Sequence, residues 1–259
     1  MRATLAALLI LIFSVPLAAT QQIRVVSEQW EDFVETGGYG YYMDTLRRIY
    51  PEEQYQLTLR IMPYLRAIDM VAQQQADIVL GLSDGDEPPE VLLSHYPVEE
   101  ERFDLVLSPK FAPHWQGLES LKGKRVMAKV GYDMDTYLDF KADYRESNDI
   151  PKMIALLKRN RVDAVFGYVS DFNRLPEFEL GPKLEVKEDV LKEKTFFGFS
   201  STPKGTELRE LFDQRLKQLI LSGDLKSIME DNIEDSFEYP SYEEYPELNP
   251  SEPKNHSSD

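Results

Sequence analysis

Nine residues of this chain have the types and positions to handle a small ligand. Residues 125–130 read as a buried strand that opens through Gly131 into a helix over 134–140. Such a turn leaves backbone N–H groups and the helix dipole aimed at one point, where a small anion or carbonyl can sit. Tyr132 follows directly, and Tyr168 ends a second strand over 163–168. Trp30 and Phe33 fall in a loop beyond the first strand; with the two tyrosines they could supply flat walls with polar edges. Glu28 in the same loop could accept from a cationic or hydroxyl-bearing ligand, and in an enclosed cleft it could serve as a general acid. Arg66 lies one turn into a helix entered through Pro63, off the apolar face expected from Leu65, Ile68 and Ala72. There it could meet a ligand anion. Ser83 and Asp84 follow a buried strand at once, the place where open α/β sheets make ligand contacts.

Other chemistries are excluded by what these side chains lack. Asp84, Asp86 and Glu87 do not have the ligand spacing of a calcium loop. His95, His114 and His256 have no neighbours at metal-ligand spacing, so neither a metal nor a cofactor is expected. Cysteine is absent and no Gly-x-Ser-x-Gly elbow occurs, which removes the common nucleophiles. The net charge of −17 opposes binding to nucleic acid or an anionic membrane, both of which need basic patches.

The elements that must position the candidates alternate in type. A strand over 23–26, a helix over 42–50, a strand over 55–61, a helix after Pro63 and a strand over 77–82 make a βαβαβ run, hence a mostly parallel sheet. The pattern restarts at 125, with a helix over 150–159 between its strands. A return strand over 195–199 precedes an amphipathic helix over 207–221 and a short helix over 225–232, separated by Gly223. Residues 1–19 read as a cleaved signal peptide: Arg2, an apolar run, then small residues. Without a cysteine no lipid anchor is possible, so a periplasmic protein is expected. Residues 234–259 hold eight acidic residues and one lysine with no hydrophobic period, and are expected to form a disordered acidic tail.

Several of these segments, in order over residues 23–233, resemble the bacterial extracellular solute-binding proteins of family 3. Gly40-Tyr41-Tyr42-Met43-Asp44 is similar to that family's helix entry, and Gln75-Ala76-Asp77-Ile78 to its third strand. Residues 121–130 (LKGKRVMAKV) and Val162-Asp163-Ala164-Val165 resemble the strands of its second lobe, and 207–228 its closing helices. The resemblance implies an α/β, two-lobed type II periplasmic-binding-protein fold with two hinge crossovers, lobe 1 being 23–107 with 195–233 and lobe 2 being 108–194. It also implies a monomer that binds a small polar or aromatic, amino-acid-like molecule and delivers it to an inner-membrane ABC permease. A ligand-sensing module for a membrane receptor is the alternative, and a small-molecule enzyme ranks below it. The family's amino-acid binders carry an arginine after the third strand, where this chain has the acidic run from Ser83 to Glu90. They carry an aspartate where Tyr168 stands, and often a threonine where Tyr132 stands. Both charge partners of a zwitterion are therefore missing from their usual places.

Overall fold

The computed structural model describes residues 20–85, 87–233 and 238–249. The expected signal peptide, Asp86, His256 and the last part of the expected tail lie outside the described residues. In chain order the elements of the first half are β1 (Gln21–Ser27), α1 (Tyr41–Ile49), β2 (Tyr55–Ile61), α2 (Tyr64–Ala72), β3 (Ile78–Ser83), β4 (Val91–Leu93) and β5 (Glu99–Leu107). They are followed by β6 (Arg125–Ala128), β7 (Asp143–Glu146), α3 (Ile150–Lys158), β8 (Ala164–Gly167), α4 (Val169–Asn173) and α5 (Pro176–Glu179). β9 (Glu185–Ser200), α6 (Pro203–Ser222) and α7 (Asp224–Asn232) complete the set.

One sheet runs through the molecule in the order β2-β1-β3-β9-β5-β8-β6-β7, with β4 added to β9. β1 pairs in parallel with β2 and β3, and β6 in parallel with β7 and β8, as βαβ crossovers require. The two sets are joined through β5 and β9, which pair antiparallel from Glu99–Thr195 to Leu107–Glu185. These long strands are the two crossovers. β9 reaches well before the expected start at 195, because its first half is held by main-chain pairing with β5 and by partly buried contacts of Val186, Val190 and Leu191.

Each strand set is covered on both faces, as parallel sheets are. On one side the core of α1, α6 and α7 buries Leu46, Leu208, Phe212 and Leu216, and on the other α2 buries Ala67, Ile68 and Val71. In the second set, α3 buries Met153, Ile154 and Leu157 opposite a cluster of Phe103, Leu121, Val126 and Phe166. α6 starts where Thr202 accepts the Gly205 N–H, with Pro203 at its first position, and stops at Gly223 (φ 80°). Both features follow ordinary capping chemistry.

The same ion pair fastens both strand sets. Arg24 donates its backbone N–H to Asp77 Oδ2 at 2.8 Å, and its guanidinium reaches both Asp77 oxygens and the Gln74 carbonyl. Arg125 repeats every one of these bonds with Asp163 and the Asn160 carbonyl. Gln74 and Asn160 both take positive φ, 62° and 53°, so the turn that presents each aspartate is repeated as well.

Three expectations are corrected. The helix expected over 134–140 is a single 3-10 turn, Met134–Tyr137. The buried face of α2 is Tyr64, Ala67, Ile68 and Val71, one position round from the expected one, and Leu65 is 47% exposed. Residues 238–249, expected to be disordered, pack on the first core: Tyr242 and Leu248 are buried in it and Tyr239 and Tyr245 lie against it. The tyrosines recur every third residue, which supplies the apolar contact that the acidic and proline content concealed. No described helix is long and apolar enough to cross a membrane.

Candidate functional site

The two strand sets face each other across a cleft of about 740 Å³ floored by β5 and β9. Its first wall is aromatic. The ring of Trp30 lies over Gly81, whose φ of +74° and missing Cβ leave the room: a Cβ there would stand 2.9 Å from the indole. Trp30 meets Tyr42 edge-on at 6.4 Å, and Phe33 meets Tyr42 at 5.1 Å. The opposite wall carries Tyr168, stacked on Phe103 at 5.5 Å and edge-on to Tyr132 at 6.2 Å.

The floor is acidic. Glu99 and Glu101 are two residues apart on β5 and so share a face. Tyr42 donates its hydroxyl to Glu99 from the first wall, and Tyr168 donates its hydroxyl to Glu101 from the second. Burial, then the nearby carboxylates of Glu101 and Glu238, push the Glu99 carboxyl well above its usual range. Thr195 stands beside Glu99 in the β5–β9 register and beside Ser83 in the β3–β9 register. The three side chains therefore form one row across three strands.

Two cations line the cleft, and both are paired. Lys129 Nζ contacts Glu28 Oε1 at 2.9 Å and lies 5.6 Å from the Tyr132 ring centre. Arg174 pairs with Glu31 and, at 3.8 Å, with Asp171. The Lys129–Glu28 and Arg174–Glu31 pairs both cross from one wall to the other. So does Leu65, whose side chain lies 3.0 Å from where a Gly131 Cβ would be.

Of the residues singled out from the sequence, Trp30, Phe33 and Tyr168 line the cleft. Glu28 reaches it through Lys129, and Tyr132 through Tyr168. Ser83 is buried at the end of the row it forms with Thr195 and Glu99 and is not in the cleft lining, whereas Asp84 is exposed beyond β3. Arg66 is exposed on α2 and is not in the cleft lining: with the buried face of α2 turned by one position, Leu65 rather than Arg66 faces the opposite wall. Gly131 has the expected turn (φ 87°), but its N–H is already used. Glu146 Oε2 accepts it at 3.1 Å, and Glu146 Oε1 accepts the Asp133 N–H at 3.0 Å. The anion expected at this turn is the protein's own carboxylate.

Sequence reasoning missed Tyr42, Glu99, Glu101 and Thr195. The one signal available was the Glu99-Glu100-Glu101 run at the entry to an apolar strand, where a carboxylate on each alternate position must face the same way.

No family model and no curated protein sequence matches the chain. Solved structures do. The GluR0 ligand-binding core in complex with L-glutamate aligns with a TM-score of 0.64 at 20% identity, over 83% of this chain and 99% of that one. A probable amino-acid ABC transporter extracellular-binding protein from Bacillus subtilis aligns at 0.59 and 20% identity, over 84% and 100%. An ancestral arginine-binding protein bound to arginine aligns at 0.62 and 18% identity, over 82% and 98%. The chain therefore has the two-lobed type II periplasmic-binding-protein fold, with β5 and β9 as its hinge crossovers.

Proposed function

We propose that this protein captures a small solute between its lobes in the periplasm and presents it to an inner-membrane ABC importer. The observation that carries the reading is the cleft itself. Its aromatic walls come from different lobes, its floor is the pair of crossover strands, and ion pairs already join one wall to the other. A closing hinge of this kind encloses a ligand on all sides. A single chain supplies every part, so the reading needs no second copy. Binding rather than catalysis is the expected activity, because Glu28, Glu31, Glu99 and Glu101 are engaged by lysine, arginine and tyrosine partners rather than by a nucleophile or base pair.

An ordinary α-amino acid fits poorly, since both cations lining the cleft are paired internally and, among the described residues, no other lines it for an α-carboxylate. Thermal-shift screening of the chain without residues 1–19 against amino acids, amines, organic acids and sugars tests the proposal. Stabilisation by one class is the expected result, and no stabilisation by any class would remove it. The likeness to the GluR0 ligand-binding core favours a second reading, a sensing module. Adjacent permease and ATPase genes support uptake, whereas an adjacent sensor kinase or cyclase gene supports sensing.

A further inference from the structure

We infer that the cleft is built for an organic cation, an amine or a quaternary ammonium, seated over Glu99 and Glu101 between Trp30, Tyr42 and Tyr168. The inference rests on the solute-binding reading and names its ligand class.

The first argument is charge. Glu99, Glu101, Glu238, Asp32 and Glu35 all line the cleft, against Lys129 and Arg174. Those two cations already belong to Glu28 and Glu31. The lining thus holds more carboxylates than cations among the described residues, so a negatively charged ligand would meet repulsion there that a cation would not. A ligand cation would relieve the mutual repulsion of Glu99, Glu101 and Glu238.

The second argument is a polar group with nothing to bind. Thr195 is only 2% exposed, lines the cleft beside Glu99, and its Oγ1 has no hydrogen-bond partner among the described residues. A buried hydroxyl without a partner is uncommon, and here it is adjacent to a buried carboxylate. The N–H donors of a protonated amine point in different directions, so an amine placed at this point can donate to Glu99 and to Thr195 Oγ1 together; a quaternary ammonium has no N–H and is drawn only by the charge and the rings.

The third argument is the walls. Trp30, Tyr42 and Tyr168 are electron-rich rings around the acidic floor, the arrangement that attracts amine and quaternary ammonium groups. A metal ion is a poorer fit, because no three Asp, Glu or His residues among those described come together in a way that could hold one.

Isothermal titration of the chain without residues 1–19 separates the possibilities, with putrescine and choline as cations, butanediol as the neutral counterpart and succinate as the anion. Binding by a cation and not by butanediol or succinate is expected. Glu99→Gln should lower that affinity by about tenfold or more, the scale of a lost hydrogen bond to a charge. Thr195→Val keeps the shape of the side chain and removes only the hydroxyl, and should lower the affinity for putrescine by a smaller factor. Circular dichroism of both variants checks that they fold. Binding of butanediol or succinate with no binding of either cation would overturn the cation inference and leave solute binding intact. Cation binding unchanged in both variants would overturn the assignment to the floor. No binding by these probes, joined to a failed screen of all ligand classes, would overturn both readings.

Discussion

Glu146 holds the Gly131 turn: its carboxylate accepts the Gly131 N–H at 3.1 Å, the Asp133 N–H at 3.0 Å and the Tyr144 hydroxyl at 2.9 Å. Tyr144 in turn accepts the Met134 N–H at 3.0 Å. A turn whose geometry is made for an anion is thus occupied from within, by the protein's own carboxylate. Glu146→Ala should strip three hydrogen bonds from a half-buried loop. The expected loss is about 1–2 kcal/mol, discounted from the sum because the loop is partly solvated. Urea denaturation measures it, and an unchanged midpoint would mean that water replaces the carboxylate without cost.

The Arg24–Asp77 and Arg125–Asp163 clamps predict an acid limb of stability. Burial pushes the Asp77 carboxyl up, but hydrogen bonds from Arg24 and Lys204 outweigh it and hold the group below the ordinary aspartate value of 3.8. Asp163 follows the same balance, with Arg125 as its donor. A carboxylate depressed in the folded state contributes stability that is full above the unfolded value and lost as pH falls through the folded one. Asp77→Asn should therefore destabilise near neutral pH by about 2 kcal/mol, and the difference from wild type should shrink below about pH 3. A difference that stays constant down to that pH would show that charge is not what the clamp uses.

The lobes were legible in the sequence because their strands are β-branched and apolar and their helices carry an apolar period, as at Leu208, Phe212 and Leu216. The crossovers were not. The first half of β9, Glu185 to Lys194, is mostly charged, with Val186, Val190 and Leu191 off any regular two-residue period, so its pairing with β5 is what reveals it as a strand. The same concealment applies to the floor. Glu99 reads as one more surface acid until β9 and both walls cover it. Leu65 takes the place expected of Arg66, which stays exposed, because a small rotation of α2, with Tyr64 packed in the core beside the sheet, decides which of them faces the other strand set.

Glu99 should trade stability for binding. Burial first, and then the neighbouring Glu101 and Glu238 carboxylates, raise its carboxyl well above the ordinary glutamate value of 4.5. A carboxyl raised in the folded state binds its proton more tightly there than when unfolded. Stability therefore falls as pH rises from that ordinary value toward the folded one. Glu99→Gln keeps an acceptor for the Tyr42 hydroxyl and removes the charge. Its melting temperature near neutral pH should rise by about 3 °C or more, and the gain should vanish below about pH 4. A melting temperature that falls near neutral pH would mean that the charged form is stabilised by contacts that outweigh its burial.

The C-terminal segment should behave as a strap rather than a tail. Tyr242 donates its hydroxyl to the Pro97 carbonyl at 2.9 Å, and Tyr96 donates to Glu247 at 3.0 Å. Glu244 pairs with Lys194 on β9. The strap is thus fastened to the segment leading into β5 and to β9 itself, the two strands that join the strand sets. Ending the chain after Ile233 would expose the surface covered by Tyr242 and Leu248 and leave these polar groups without partners. Burying two side chains of this size is worth about 3–5 kcal/mol, so the truncated chain should melt roughly 10 °C lower. The double change Tyr242→Ala with Leu248→Ala should reproduce most of the loss while leaving the acidic residues in place. A truncated chain that melts with the intact one would show that the strap's contacts add nothing to the fold.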